Sequence, residues 1–163
     1  MPNINFLSLA TLLLFLSCSR EHEPVPQPEG DFRFTFGWYF GYCQGESCIE
    51  FFQIAGGKLY EDKLDQYPNL GDPAPPQTEY VARSQADYEA VKDLPEGLPE
   101  ALFDEEELVI GIPDAGDWGG LYVGLEEGDR IRWRYIDNNK DYVPEYLHDF
   151  IDALRASIET LQE

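Results

Sequence analysis

Positive charge is what this chain has least of. It carries 11 Lys and Arg and two His against 32 Asp and Glu, for a formal net charge of −21 over 163 residues. Nucleic-acid binders neutralise phosphates with a basic face, so this balance argues against a nucleic-acid partner. It argues equally against a domain lying flat on an anionic leaflet. The shortage of histidine removes the commonest general base. His22 falls in a Pro- and Glu-rich stretch, and His148 sits beside the apolar stripe of a helix, where it reads as a boundary residue. The sequence contains no Gly-x-Ser-x-Gly, His-Glu-x-x-His, phosphate-binding loop or dinucleotide fingerprint. No apolar run approaches the ~20 residues that a membrane-spanning helix needs.

The longest such run, Phe6 to Leu16 (FLSLATLLLFL), has the length of a signal-peptide apolar region and ends at Leu16-Ser17-Cys18. A small residue before a cysteine, directly after an apolar run, resembles the lipobox of bacterial lipoproteins. The resemblance implies removal of residues 1–17, lipid on Cys18 and a place in the cell envelope, on the periplasmic or surface side of a bacterial membrane. Ser19 to Gly30 (SREHEPVPQPEG) then reads as an extended tether that buries little. Its early acids, Glu21 and Glu23, are similar to surface-export signals of some envelope lipoproteins.

With Cys18 lipidated, Cys43 and Cys48 remain as a pair in an oxidising compartment. Their spacing across Gln44-Gly45-Glu46-Ser47 suits a disulfide at a hairpin tip, worth about 2 kcal/mol through the short loop it closes. A redox or metal role would need a second Cys pair or a nearby His, and the sequence offers neither.

Residues 31–163 read as one α+β domain. Phe32, Phe34, Phe36, Trp38 and Phe40 alternate with Arg33, Thr35, Gly37 and Tyr39, the pattern of a half-buried strand. Ile49–Ile54 is its partner; the adjacent Phe51 and Phe52 call for a bulge or for cover on both faces. Lys58–Glu61 follows as a short strand, and 62–80 as a long Pro-rich loop of the kind that is functional or mobile. Ser84 and Asp87 form a capping-box pattern for a helix that turns Tyr88, Val91 and Leu94 inward. Strands at Leu108–Ile112, at Leu121, Val123 and Leu125, and at Ile131, Trp133 and Tyr135 come next. Leu147, Phe150, Ile151, Leu154, Ile158 and Leu161 mark the last helix. The economical packing is an antiparallel sheet of two β-hairpin units with two main helices on one face.

Four features stand out as candidate sites. Pro113–Gly120 supplies three glycines, two carboxylates and an indole between strands; Asp114, Asp117, Trp118, Gly119 and Gly120 are the expected binding residues, and a wide turn with Trp118 folded on the core is the plain alternative. Asp137-Asn138-Asn139-Lys140-Asp141 resembles the opening of an EF-hand, but Tyr142 stands where the loop needs Gly and His148 where it needs Glu. A helix-capping turn explains it more simply. Arg130, Arg132 and Arg134 share one side of a strand and either grip an anion or pair with neighbouring acids. Tyr39, Tyr42, Tyr60, Tyr67 and Tyr80 offer aromatic platforms or core.

These features point to a membrane-anchored, non-enzymatic interaction module that binds an envelope protein or glycan and needs no cofactor. Its expected contact surface joins the Asp114–Gly120 loop to the Tyr67–Tyr80 loop. Two other classes compete: an envelope hydrolase using paired carboxylates, which 32 acids make impossible to single out, and an acidic inhibitor or immunity-type protein masking a basic site.

Overall fold

A computed structural model describes residues 31–72 and 74–162; the signal, Cys18 and the tether lie outside the described residues. Seven strands form one sheet: β1 (Phe32–Tyr39), β2 (Ile49–Ala55), β3 (Lys58–Asp62), β4 (Tyr80–Ala82), β5 (Val109–Ile110), β6 (Gly120–Glu127) and β7 (Arg130–Asp137). Their order is β4-β3-β2-β1-β6-β7-β5. All neighbours are antiparallel except β5 and β7, so the chain is α+β with a mostly antiparallel sheet.

β1 lies in the middle of the sheet, paired along its length with both β2 and β6. That corrects its reading as a half-buried strand. Thr35 (7% exposed) and Tyr39 (0%) are as enclosed as Phe34 and Phe36, because both faces of the sheet are covered. The Phe51-Phe52 pair has the same cause. The β1–β2 register runs without a bulge, and the two rings enter different clusters on opposite faces.

One face carries Phe34, Phe36, Phe52, Ile54, Leu59, Leu121, Val123 and Ile136. These share a cluster with Phe150, Ile151, Leu154, Ile158 and Leu161 of helix α2 (His148–Leu161). The other face carries Tyr39, Phe51, Tyr122 and Tyr135, with Leu70, Leu108 and Trp133 packed against them. Helix α1 (Gln85–Val91) begins at Ser84 with both bonds of the capping box present. Between β4 at one edge and β5 at the other, α1 and two short 3₁₀ turns (Leu94–Gly97 and Glu100–Phe103) carry the chain across the sheet. Arriving at the far edge by this crossover, β5 pairs parallel to β7.

The two ends of the sheet differ. At one end the turns are tight: Gly56 and Gly57, both at positive φ, join β2 to β3, and Gly128 (φ 58°) helps join β6 to β7. Asp31 also sits here, its carbonyl accepting from Gly128 N at 2.8 Å. At the opposite end lie the irregular segments 40–48, 63–79, 111–119 and 138–147. No helix among the described residues is long and apolar enough to cross a membrane.

Candidate functional site

Two carboxylates organise the irregular end. Asp114 Oδ2 accepts from Gly41 N (2.7 Å) and from the Tyr67 hydroxyl (3.0 Å), and its Oδ1 accepts from Gly119 N (3.1 Å). One side chain thus joins three segments distant in sequence. Burial first, and the Asp114 carboxylate beside it second, push the Tyr67 phenol up to about 12, so it stays a donor. Asp137, 0% exposed, closes the second knot. Its Oδ1 accepts from the Trp118 indole (2.8 Å) and Asn139 N (2.8 Å), and its Oδ2 from Ile112 N (2.9 Å).

The glycines of the segment are there for space. A Cβ on Gly119 (φ 76°) would come within 2.3 Å of the Phe40 ring, and one on Gly120 within 2.3 Å of the Tyr39 hydroxyl. Asp114 and Asp117 both take the left-handed conformation (φ 61°), which Asp tolerates better than most residues. Trp118 stacks on Tyr142 (5.7 Å between centroids, 14° between planes), and its carbonyl accepts from Asn138 Nδ2 at 2.8 Å. Of the residues expected to bind, Gly119 and Gly120 are buried, Asp114 and Trp118 half-buried, and Asp117 exposed. Around them Tyr42 (87%), Ile112 (49%), Tyr142 (47%) and Tyr67 (45%) present apolar surface to solvent.

Tyr67 and Asp114 thus link the two loops that the sequence names together as one expected contact surface. The disulfide between Cys43 and Cys48 (Cα–Cα 5.7 Å) closes the neighbouring 40–48 segment. Sequence reasoning missed the part played by Asp137, which it placed in an EF-hand-like opening. The Asn pair after it was the available signal, since Asx residues at a strand end tie down backbone donors. Asn139 caps Asp141 N (3.1 Å), and His148 Nε2 donates to the Lys140 carbonyl (3.0 Å). No group of three His, Cys, Asp or Glu is placed to hold a metal among the described residues.

The arginine row divides. Arg132 stacks on Phe103 (4.6 Å) and pairs with Glu127 at 2.5 Å; Arg134 donates to the carbonyls of Phe103 (3.4 Å) and Glu105 (2.6 Å). Arg130 and Arg132 line a groove of about 540 Å³ with Phe32, Leu98, Phe103 and Leu125, at the tight-turn end of the sheet. The carboxyl pushed furthest up is Glu50, to about 7, by burial with nearby Glu61 and Asp65 adding to it. It accepts from Gln162 Nε2 (3.3 Å) and does not line that groove. No protein-family model matches this chain, and no curated protein matches it in sequence.

Proposed function

We propose that this chain is a bacterial envelope lipoprotein, held by lipid on Cys18, whose irregular end is a non-enzymatic docking surface for another envelope protein. The observation that carries the reading is the joining of the 63–79 and 111–119 segments at Tyr67 and Asp114, at the end of the sheet opposite Asp31. A tether running into Asp31 from a membrane leaves that end facing outward. Tyr42, Ile112, Tyr67 and Tyr142 supply exposed aromatic and aliphatic area, and Asp117 supplies charge at its rim. Tyr67, bonded to Asp114 and edge-on to Tyr39, and Tyr142, stacked on Trp118, are already held in place and lose little conformational entropy on binding.

The test is position-specific photocrosslinking in intact cells. A crosslinker replacing Tyr42 should give a discrete adduct that disappears in Cys18→Ala. The same crosslinker replacing Ile131, at the opposite end, should give none. Equal adducts from both positions, or none from Tyr42, would sink the reading. Asp117→Ala and Trp118→Ala should weaken the adduct without abolishing folding. The hydrolase reading has a raised carboxyl in Glu50, but one that faces Gln162 at the end of α2.

A further inference from the structure

The tyrosine-bearing face of the sheet holds more polar atoms than its own contacts use. Tyr39 (0% exposed), Asp62 (1%) and Gln53 (3%) are enclosed, yet the Tyr39 hydroxyl, Asp62 Oδ2 and Gln53 Oε1 find no partner among the described residues. The buried indole nitrogen of Trp133 also has none. Strand alternation and register put all four side chains on this one face. Gln53 and Trp133 stand in one cross-strand row, through Thr35 and Gly124. The next row holds Phe51, Gly37, Tyr122 and Tyr135, with the last two rings 5.5 Å apart. Leaving a buried donor or acceptor unpaired costs about 1–3 kcal/mol each, so such a concentration is expensive without a use.

The cover over this face is lightly fastened. Residues 63–79, of which 73 lies outside the described residues, form a strap whose neck is closed by Lys63 N donating to the Glu79 carbonyl (2.9 Å) and by Asp62 Oδ1, accepting from Leu64 N (3.3 Å) and Glu79 N (2.6 Å). Further along, Tyr67 donates to Asp114 (3.0 Å). Leu70 and Tyr67 are its apolar contacts with the tyrosine cluster, the Tyr67 ring standing edge-on to Tyr39 at 5.4 Å. Among its described residues only Pro68 is fully buried. A segment with so few buried contacts opens at a small fraction of the global unfolding free energy.

We propose that the face beneath the strap is a binding site for a neutral saccharide, entered when residues 63–79 lift from a neck held at Asp62. Sugars offer a C–H face for aromatic rings and hydroxyls at the edge for isolated donors and acceptors. The Trp133 indole, the Gln53 carbonyl oxygen and the Tyr39 hydroxyl are groups of that kind, set among rings. These three side chains are uncharged, and the fourth, the Asp62 carboxyl, holds the neck and disfavours an anion, so the face suits a neutral ligand. Lifting the strap parts Tyr67 from Asp114, so this site and the docking surface share that fastening. Saccharide binding is read on purified protein and the docking adduct in cells, so the failure of one is told from the failure of the other.

The test titrates cellotetraose, maltotetraose and N-acetylchitotetraose into the purified residue 31–163 domain and into full-length protein in detergent, following tryptophan fluorescence and heat. At least one should bind. Trp133→Phe removes the unpaired donor while keeping an aromatic ring; it should weaken binding about tenfold and leave thermal unfolding unchanged or improved. Leu70→Ala, which loosens the strap, should tighten binding. No binding of any of the three to wild type or to Leu70→Ala overturns the proposal. Binding that Trp133→Phe does not weaken overturns this placement of the site.

Discussion

The two faces of the sheet are built from the same strands by opposite means. On one, Phe, Leu, Ile and Val side chains meet a stripe of α2, and the polar groups enclosed there, Glu50 and the Arg132 and Arg134 guanidinium groups, lie around that apolar cluster. On the other, tyrosines, a tryptophan, a glutamine and an aspartate lie beneath a Pro-rich strap that buries little of itself. The first arrangement is what the hydrophobic effect rewards, and it should set global stability. The second leaves donors and acceptors unpaired, a cost that the first face must offset. Proteins retain such costs where a surface is used, so the difference separates the scaffold from the part available for recognition.

The largest expected effect breaks the scaffold side. Phe36→Ala removes a ring with 0% exposure between Phe34 and Phe52 and should cost about 3–5 kcal/mol of unfolding free energy, read by denaturant titration. A loss under about 1 kcal/mol would mean that the α2-bearing face is not the stability-setting core.

Next comes the misfit on that same side. Glu50 is 7% exposed and its carboxyl is pushed up to about 7 by burial. The folded state holds the proton more tightly than the unfolded chain, so its contribution is fully present below about pH 4.5 and is lost as pH rises through 7. Glu50→Gln should remove that slope and raise stability at pH 8 by up to about 3 kcal/mol. The check is thermal unfolding at pH 5 and pH 8. A variant whose stability still falls as steeply as wild type across that interval would place the titrating group elsewhere.

The apolar side was largely legible in the sequence, and the other was not. The Phe alternation of β1, the stripe of α2, the Ser84–Asp87 cap and the Cys43–Cys48 bridge each depend on residues close in sequence. β4 was missed because an edge strand as short as Tyr80–Ala82, with Val81 exposed, has no alternation to show. β5 was read as a strand, but its parallel pairing is decided by β7, its partner across the sheet edge. The Asp114–Gly120 loop was found from its unusual composition. Its fastening was not, because Asp114 meets Gly41 across a separation of 73 residues and Tyr67 across 47. Such contacts carry no local periodicity.

At the irregular end, Trp118→Phe sharpens the comparison by a smaller step. It keeps the stack on Tyr142 but removes one of three donors from the fully buried Asp137 carboxylate. The expected cost is about 1–3 kcal/mol, because a buried charge loses a partner that water cannot replace. Asp137→Asn in the Trp118→Phe background should recover none of it, because the amide nitrogen would face Ile112 N or Asn139 N, a donor set against a donor. A double variant that loses the sum of both single costs would show that Asp137 and Trp118 act independently.

The smallest effect concerns the strap itself. Tyr67 is 45% exposed, and its hydroxyl is one of three donors to Asp114. Tyr67→Phe leaves Asp114 with Gly41 N and Gly119 N, and keeps the ring against Tyr39. Global stability should change by only about 0.5–1 kcal/mol. The local effect should be larger than the global one. Amides of residues 63–79 should exchange with solvent several-fold faster in Tyr67→Phe, while amides of β1 and β6 keep their wild-type protection. If strap and strand amides accelerate together, the strap opens only with the whole domain. The two faces would then be one cooperative unit, and the tyrosine side would be closed to any ligand in the folded state.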